Sequence, residues 1–76
     1  MKLNQINLDD VVTILSVDKD ASIKRRLFDL GFIPGEEVKC VLMSPAHNPV
    51  AYEINGSVIA LRGVDAHHIE VAYERN

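Results

Sequence analysis

Arg25-Arg26-Leu27-Phe28-Asp29-Leu30-Gly31-Phe32-Ile33-Pro34-Gly35 is the stretch on which the fold turns. It reads as the last turns of a helix, a glycine stop, and a Pro-Gly turn that launches a strand. Ile23, Leu27 and Leu30 stand at i, i+4 and i+7, which puts three branched side chains on one stripe of a helix over about 22–30. Gly31 suits the left-handed position just past a helix, where a Cβ atom is strained. Pro34 and Gly35 fit the two corners of a type II turn, so a strand follows. Asp20 and Ser22 are both able to cap the first turn, and the sequence leaves that choice open.

Working outward, Val11–Val17 is rich in Val, Ile, Leu and Thr and predicts a first strand. Glu37–Met43 predicts a second, with Val38, Cys40 and Leu42 on one face and Val41 and Met43 making the opposite face partly apolar. Residues 44–49 form a loop around Pro45 and Pro49. Val50, Tyr52 and Ile54 then alternate with Ala51 and Glu53 up to Asn55-Gly56, the turn pair of a tight hairpin. That turn sets Ile54 opposite Ser57, Tyr52 opposite Ile59 and Val50 opposite Leu61, with the apolar side chains on one face. Residues 63–68 allow one helical turn, after which Ile69, Val71 and Tyr73 alternate with Glu70 and Glu74 as a last strand.

Five short strands, with a helix inserted between the first and second, cannot bury their apolar faces as a single open sheet in so small a chain. The expectation is therefore a mostly β fold, a small barrel of about five strands. One helix is inserted between strands 1 and 2, and a short helical turn precedes the last strand. Residues 1–76 read as one domain.

A chain of 76 residues buries only roughly 60–65% of its unfolded surface, which disfavours a deep enclosed pocket. The 47% hydrophobic and 25% charged content is ordinary for a soluble globular protein. A net charge of −3 argues against nucleic acid as a partner, since neutralising phosphates takes a basic surface. No apolar run approaches the ~20 residues of a membrane span, and residues 1–8 lack the apolar core of a signal peptide. A cytoplasmic protein without direct membrane insertion is expected. The lone Cys40 has no internal disulfide partner and alternates with Val38 and Leu42, so it reads as a small core residue.

Taken together, Arg26-Leu27-Phe28-Asp29-Leu30-Gly31-Phe32-Ile33-Pro34-Gly35, then Ser44-Pro45 and Asn48-Pro49, then Ala60-Leu61-Arg62, Ala66, Ile69 and Val71 resemble the FeoA family of bacterial ferrous iron transport. The resemblance runs over almost the whole chain. It implies an SH3-like barrel with a helix in the long first loop, a cytosolic location, and action on FeoB, a large membrane transporter that carries a GTP-binding domain. It also implies kinship with the C-terminal barrel of DtxR-type repressors, so a metal-responsive regulatory module is the alternative function. Where the family tends to have Pro-x-Gly-Asp-Pro, this chain has Pro45-Ala46-His47-Asn48-Pro49.

The candidate partner-binding residues are Lys24, Arg25, Arg26, Leu27 and Phe28 on the helix, with Val41 and Met43 on the outer side of the second strand. Basic side chains beside an aromatic suit charge-assisted docking to an acidic surface. An arginine finger toward a bound nucleotide is disfavoured, because these arginines lie on a helix and not on a positioned loop. For metal, Asp65 and His68 at i, i+3 are the candidates, with His47 or Cys40 supplied from elsewhere. Neighbouring His67 and His68 diverge on either a helix or a strand. No recognised ligand spacing appears, so no cofactor is expected beyond a weak surface site for iron or zinc. No nucleophile-base arrangement or glycine-rich phosphate loop is present, and the chain reads as a recognition module, not an enzyme. Self-association is expected to be at most weak.

Overall fold

The structure is a computed structural model and describes residues 1–18, 20–46 and 48–73, with Ala21 placed by its backbone alone. Helix α1 (Ala21–Asp29) begins at Asp20, whose carboxylate accepts hydrogen bonds from the backbone N–H groups of Ser22 and Ile23, each at 3.2 Å. Of the two possible caps, Asp20 is the one used. The helix ends at Gly31, which takes φ 105°. There the Gly31 N–H donates to the Phe28 carbonyl and the Phe32 N–H to the Leu27 carbonyl, both at 2.9 Å. This pair of bonds is a Schellman stop, and its usual apolar contact links the residue beyond the glycine to the last full turn. Leu27 and Phe32 supply it, and both are fully buried.

The sequence stripe placed Leu30 in the core, but it is exposed. Leu30 is the cap residue, three positions and so about 300° around from Leu27, and the backbone reverses at the next residue. Phe32 comes back under the helix and fills the place instead. Its ring stands edge-on to Tyr52, with centroids 6.5 Å apart and planes at 89°, the favoured geometry for two aromatic quadrupoles.

Strands β1 (Val11–Val17), β2 (Glu37–Met43), β3 (Val50–Ile54), β4 (Ser57–Leu61) and β5 (Ile69–Tyr73), with the one-turn helix α2 (Gly63–Ala66) before the last, follow the predicted order. They form one antiparallel sheet, β4-β3-β2-β1-β5, bent into an SH3-like barrel around a shared apolar centre. The β3–β4 hairpin has the register predicted from Asn55-Gly56, and both turn residues take positive φ, 51° and 79°.

Two bulges carry the bend. The β1–β5 register shifts between Ile14 and Ser16, so Leu15, outward by alternation with Val12 and Ile14, is followed by a second exposed residue, Ser16, and Val17 returns to the core. The β2–β3 register shifts between Cys40 and Leu42, so Val41 is the unpaired extra residue. The expected alternation in β2 is therefore reversed past Cys40. Leu42 points outward, while Met43 is opposite Val50 and packs partly buried against the core.

The polar lead before β1 also contributes. Leu3 and Ile6, either end of a 3-10 turn (Leu3–Gln5), are buried. Lys2 pairs with Glu70, and the Val71 N–H donates to the Met1 carbonyl at 2.8 Å, so this segment covers the outer edge of β5. The Tyr52 hydroxyl reaches the Leu3 carbonyl at 3.5 Å, and burial pushes its pKa up to about 12.

Chemical denaturation checks the packing: Phe32→Ala should cost about 3–5 kcal/mol, whereas Leu30→Ala should stay within about 1 kcal/mol despite its place on the helical stripe. Tyr52 also predicts a pH dependence. An unfolded tyrosine releases its proton near pH 10, while the folded one holds it until about 12. The folded state therefore binds more protons in that window, and stability present below pH 10 should fall as pH rises toward 12. A Tyr52→Phe variant should show a shallower alkaline decline in its melting temperature.

Candidate functional site

The expected helix residues divide into structural and accessible ones. Leu27 is core. Phe28 is half-buried against the core, and the Lys24 ammonium lies 5.5 Å from its ring centroid, a cation–π arrangement that holds both side chains on the surface of α1. Arg25 is exposed. The Arg26 Nη2 donates to Asp65 Oδ1 of α2 at 2.7 Å. Arg62 approaches the same carboxylate, its Nε 3.9 Å from Oδ2. The helix face is thus tied to the start of α2 by one shared anion.

Beside the outward Leu42 lies a shallow apolar groove of about 350 Å³. Leu42, Pro45 and Pro49 form its walls, and the cross-strand pair Ala51 and Ala60 forms its floor. Met43 lines it from its half-buried position, and Val41 sits half-buried at the bulge. A larger hollow of about 480 Å³ lies among Glu36, Glu37, Lys39 and Glu53, and none of the expected site residues lines it.

The metal candidates are not brought together. Asp65 is engaged by Arg26, and His68 Nδ1 lies 2.9 Å from Asp18 Oδ2. His47 falls outside the described residues. Among the described residues, no group of three or more His, Cys, Asp or Glu side chains is arranged to hold a metal ion. Cys40 is fully buried, and that burial raises its thiol pKa, as suits a core residue. In the departing loop, the Asn48 side-chain oxygen accepts from the Gly63 N–H at 3.0 Å and the Asn48 N–H donates to Ser44 Oγ at 3.0 Å. An aspartate oxygen would serve the first bond equally, so Asn48 keeps a tie from this loop to α2.

Two contributors were missed in the sequence. Leu42 was assigned inward because alternation hides a bulge. Arg62 carried one usable signal, its i, i+3 spacing from Asp65.

A family model described as the FeoA domain matches residues 1–73. The chain belongs to the FeoA family. Over 71 residues it is 31% identical to a fusion of Fe(2+) transport protein A with the Fe(2+) transporter FeoB from Porphyromonas gingivalis, a match that takes in 93% of this chain. The chain spans only 8% of that relative's length. The zinc complex of FeoA from Stenotrophomonas maltophilia, an SH3 domain protein, is 32% identical with a TM-score of 0.83, covering 95% of this chain and 89% of that one. The IdeR structure from T. acidophilum has a TM-score of 0.85 at 20% identity, covering 97% of this chain and 34% of its own, and that likeness shows the fold alone.

The cap at Asp20 supports the whole candidate face on α1. Its hydrogen bonds from the Ser22 side chain and the Ile23 backbone hold its pKa below the ordinary 3.8. The stabilisation is therefore present above that ordinary value and lost as pH falls through the lower folded value. Amide protection factors across residues 22–26, corrected for the intrinsic exchange rate, should fall in Asp20→Ala at neutral pH and, in the wild type, as pH drops through the lowered folded value of Asp20.

Proposed function

We propose that this chain is a cytosolic accessory protein of ferrous iron uptake that binds and modulates the GTP-binding domain of a FeoB-type transporter. The observation that carries this reading is the fused relative, in which a domain 31% identical to this chain shares one polypeptide with an Fe(2+) transporter. A covalent link raises the effective concentration of two parts that work in contact, and separate chains need a docking surface to achieve the same. Two exposed regions support such a surface. Lys24, Arg25, Arg26 and Phe28 offer charge and an aromatic on α1, and Leu42 with Ala51 and Ala60 offers an apolar groove on the opposite strands.

The mechanism is surface complementarity. Tyr52, Phe32 and Leu27 fill the barrel interior, so the exterior carries the work. Among the described residues, no helix is long and apolar enough to cross a membrane. The repressor likeness supplies only a fold, whereas the fusion links the domain to transport, so the transporter reading is preferred over a metal-responsive regulator.

A pulldown with the cytosolic domain of the cognate transporter should retain this protein. Arg26→Glu and Phe28→Ala variants that keep the wild-type circular dichroism should be retained poorly, and full retention of both would move the contact away from α1.

A further inference from the structure

Asp65 sits in α2 with its side chain only 13% exposed, between two arginines from different elements. Arg26 reaches it from α1 at 2.7 Å, and Arg62, just before α2, lies at 3.9 Å. The arginines themselves are 53% and 69% exposed. One carboxylate cancels one positive charge, which leaves this trio at +1 on a chain whose total is −3. Each guanidinium has five N–H donors in a rigid fork. At their exposure, much of both forks faces water. A side chain already fixed by a neighbour loses less freedom when a ligand arrives, which favours Arg26, while the longer-range attraction of Asp65 keeps Arg62 near it.

We propose that Arg26, hydrogen-bonded to Asp65, and Arg62, drawn toward the same carboxylate without a hydrogen bond to it, form a two-pronged seat for a carboxylate-bearing protein surface, with Asp65 as the positioning residue. The inference rests on the transporter reading and deepens it, naming the chemistry of the surface that α1 and α2 meet together. Charge complementarity selects this occupant. A local pair of guanidiniums matches a pair of carboxylates with bidentate bonds, while the overall negative charge repels an extended polyanion such as nucleic acid. Arg25, exposed beside Arg26, adds a further positive charge at the rim.

The test is surface plasmon resonance against the purified cytosolic domain of the cognate transporter, at low, physiological and high salt. Wild-type affinity should fall steeply with salt. Arg62→Ala should bind about tenfold more weakly, with a flatter salt dependence and an unchanged melting temperature. Arg62→Lys should recover only part of the loss, because an ammonium lacks the fork. Asp65→Asn should weaken binding more than Asp65→Glu, which can still hold both arginines. Wild-type affinity and salt dependence in Arg62→Ala, with the wild type binding, would overturn the two-pronged seat and leave the transporter reading standing. Absence of wild-type binding at low salt would overturn both.

Discussion

The reversal at Gly31 governs this molecule. A backbone in the left-handed region at that residue closes α1 with two hydrogen bonds and returns Phe32 beneath the helix it has just left. Once there, Phe32 is fixed edge-on to Tyr52 on β3, which joins the inserted helix to the hairpin half of the sheet. Without this contact, α1 would be joined to the barrel by Leu27, by the partly buried Ile23 and Phe28, and by the rim pair Arg26–Asp65. A nine-residue helix is too short to persist alone in water, so its presence depends on tertiary packing.

Function follows from the same packing. The interior is occupied by apolar side chains, and no buried polar or charged residue is present among those described. What remains accessible is an exterior with distinct regions: a basic and aromatic helix face tied to α2 by Asp65, and an apolar groove beside the β2 bulge. Both are by-products of how the core is closed. Leu42 is outward because Val41 is extra, and Arg26 is held because α1 docks close enough to α2 for a 2.7 Å bond. The accessible chemistry of this FeoA-family domain therefore lies in the shape and charge of its exterior.

Much of this was readable from the residues. The Asn55-Gly56 turn allowed only one register, and the bounds of β1 and β2 followed from their β-branched runs. Period-two alternation, however, has no way to register an inserted residue, so it misplaced Leu42 and Met43. The i, i+4, i+7 rule took the stripe one residue too far, because α1 ends at Asp29 and Leu30 is its cap. Leu3 and Ile6 were overlooked among polar neighbours although their i, i+3 spacing fits one helical turn. At the candidate surface, the residue types on α1 were legible, but the bond from Arg26 to Asp65 spans 39 positions in sequence and depends on the finished fold.

The most direct measurement of this account is a nuclear Overhauser spectrum of the protein in solution. With two phenylalanines and two tyrosines, the aromatic region is sparse enough to assign each ring. Cross-peaks between the Phe32 and Tyr52 rings, with Leu30 methyl groups showing none to Tyr52, are the predicted result. Leu30 methyl contacts to Tyr52, with the Phe32 ring free of them, would contradict it.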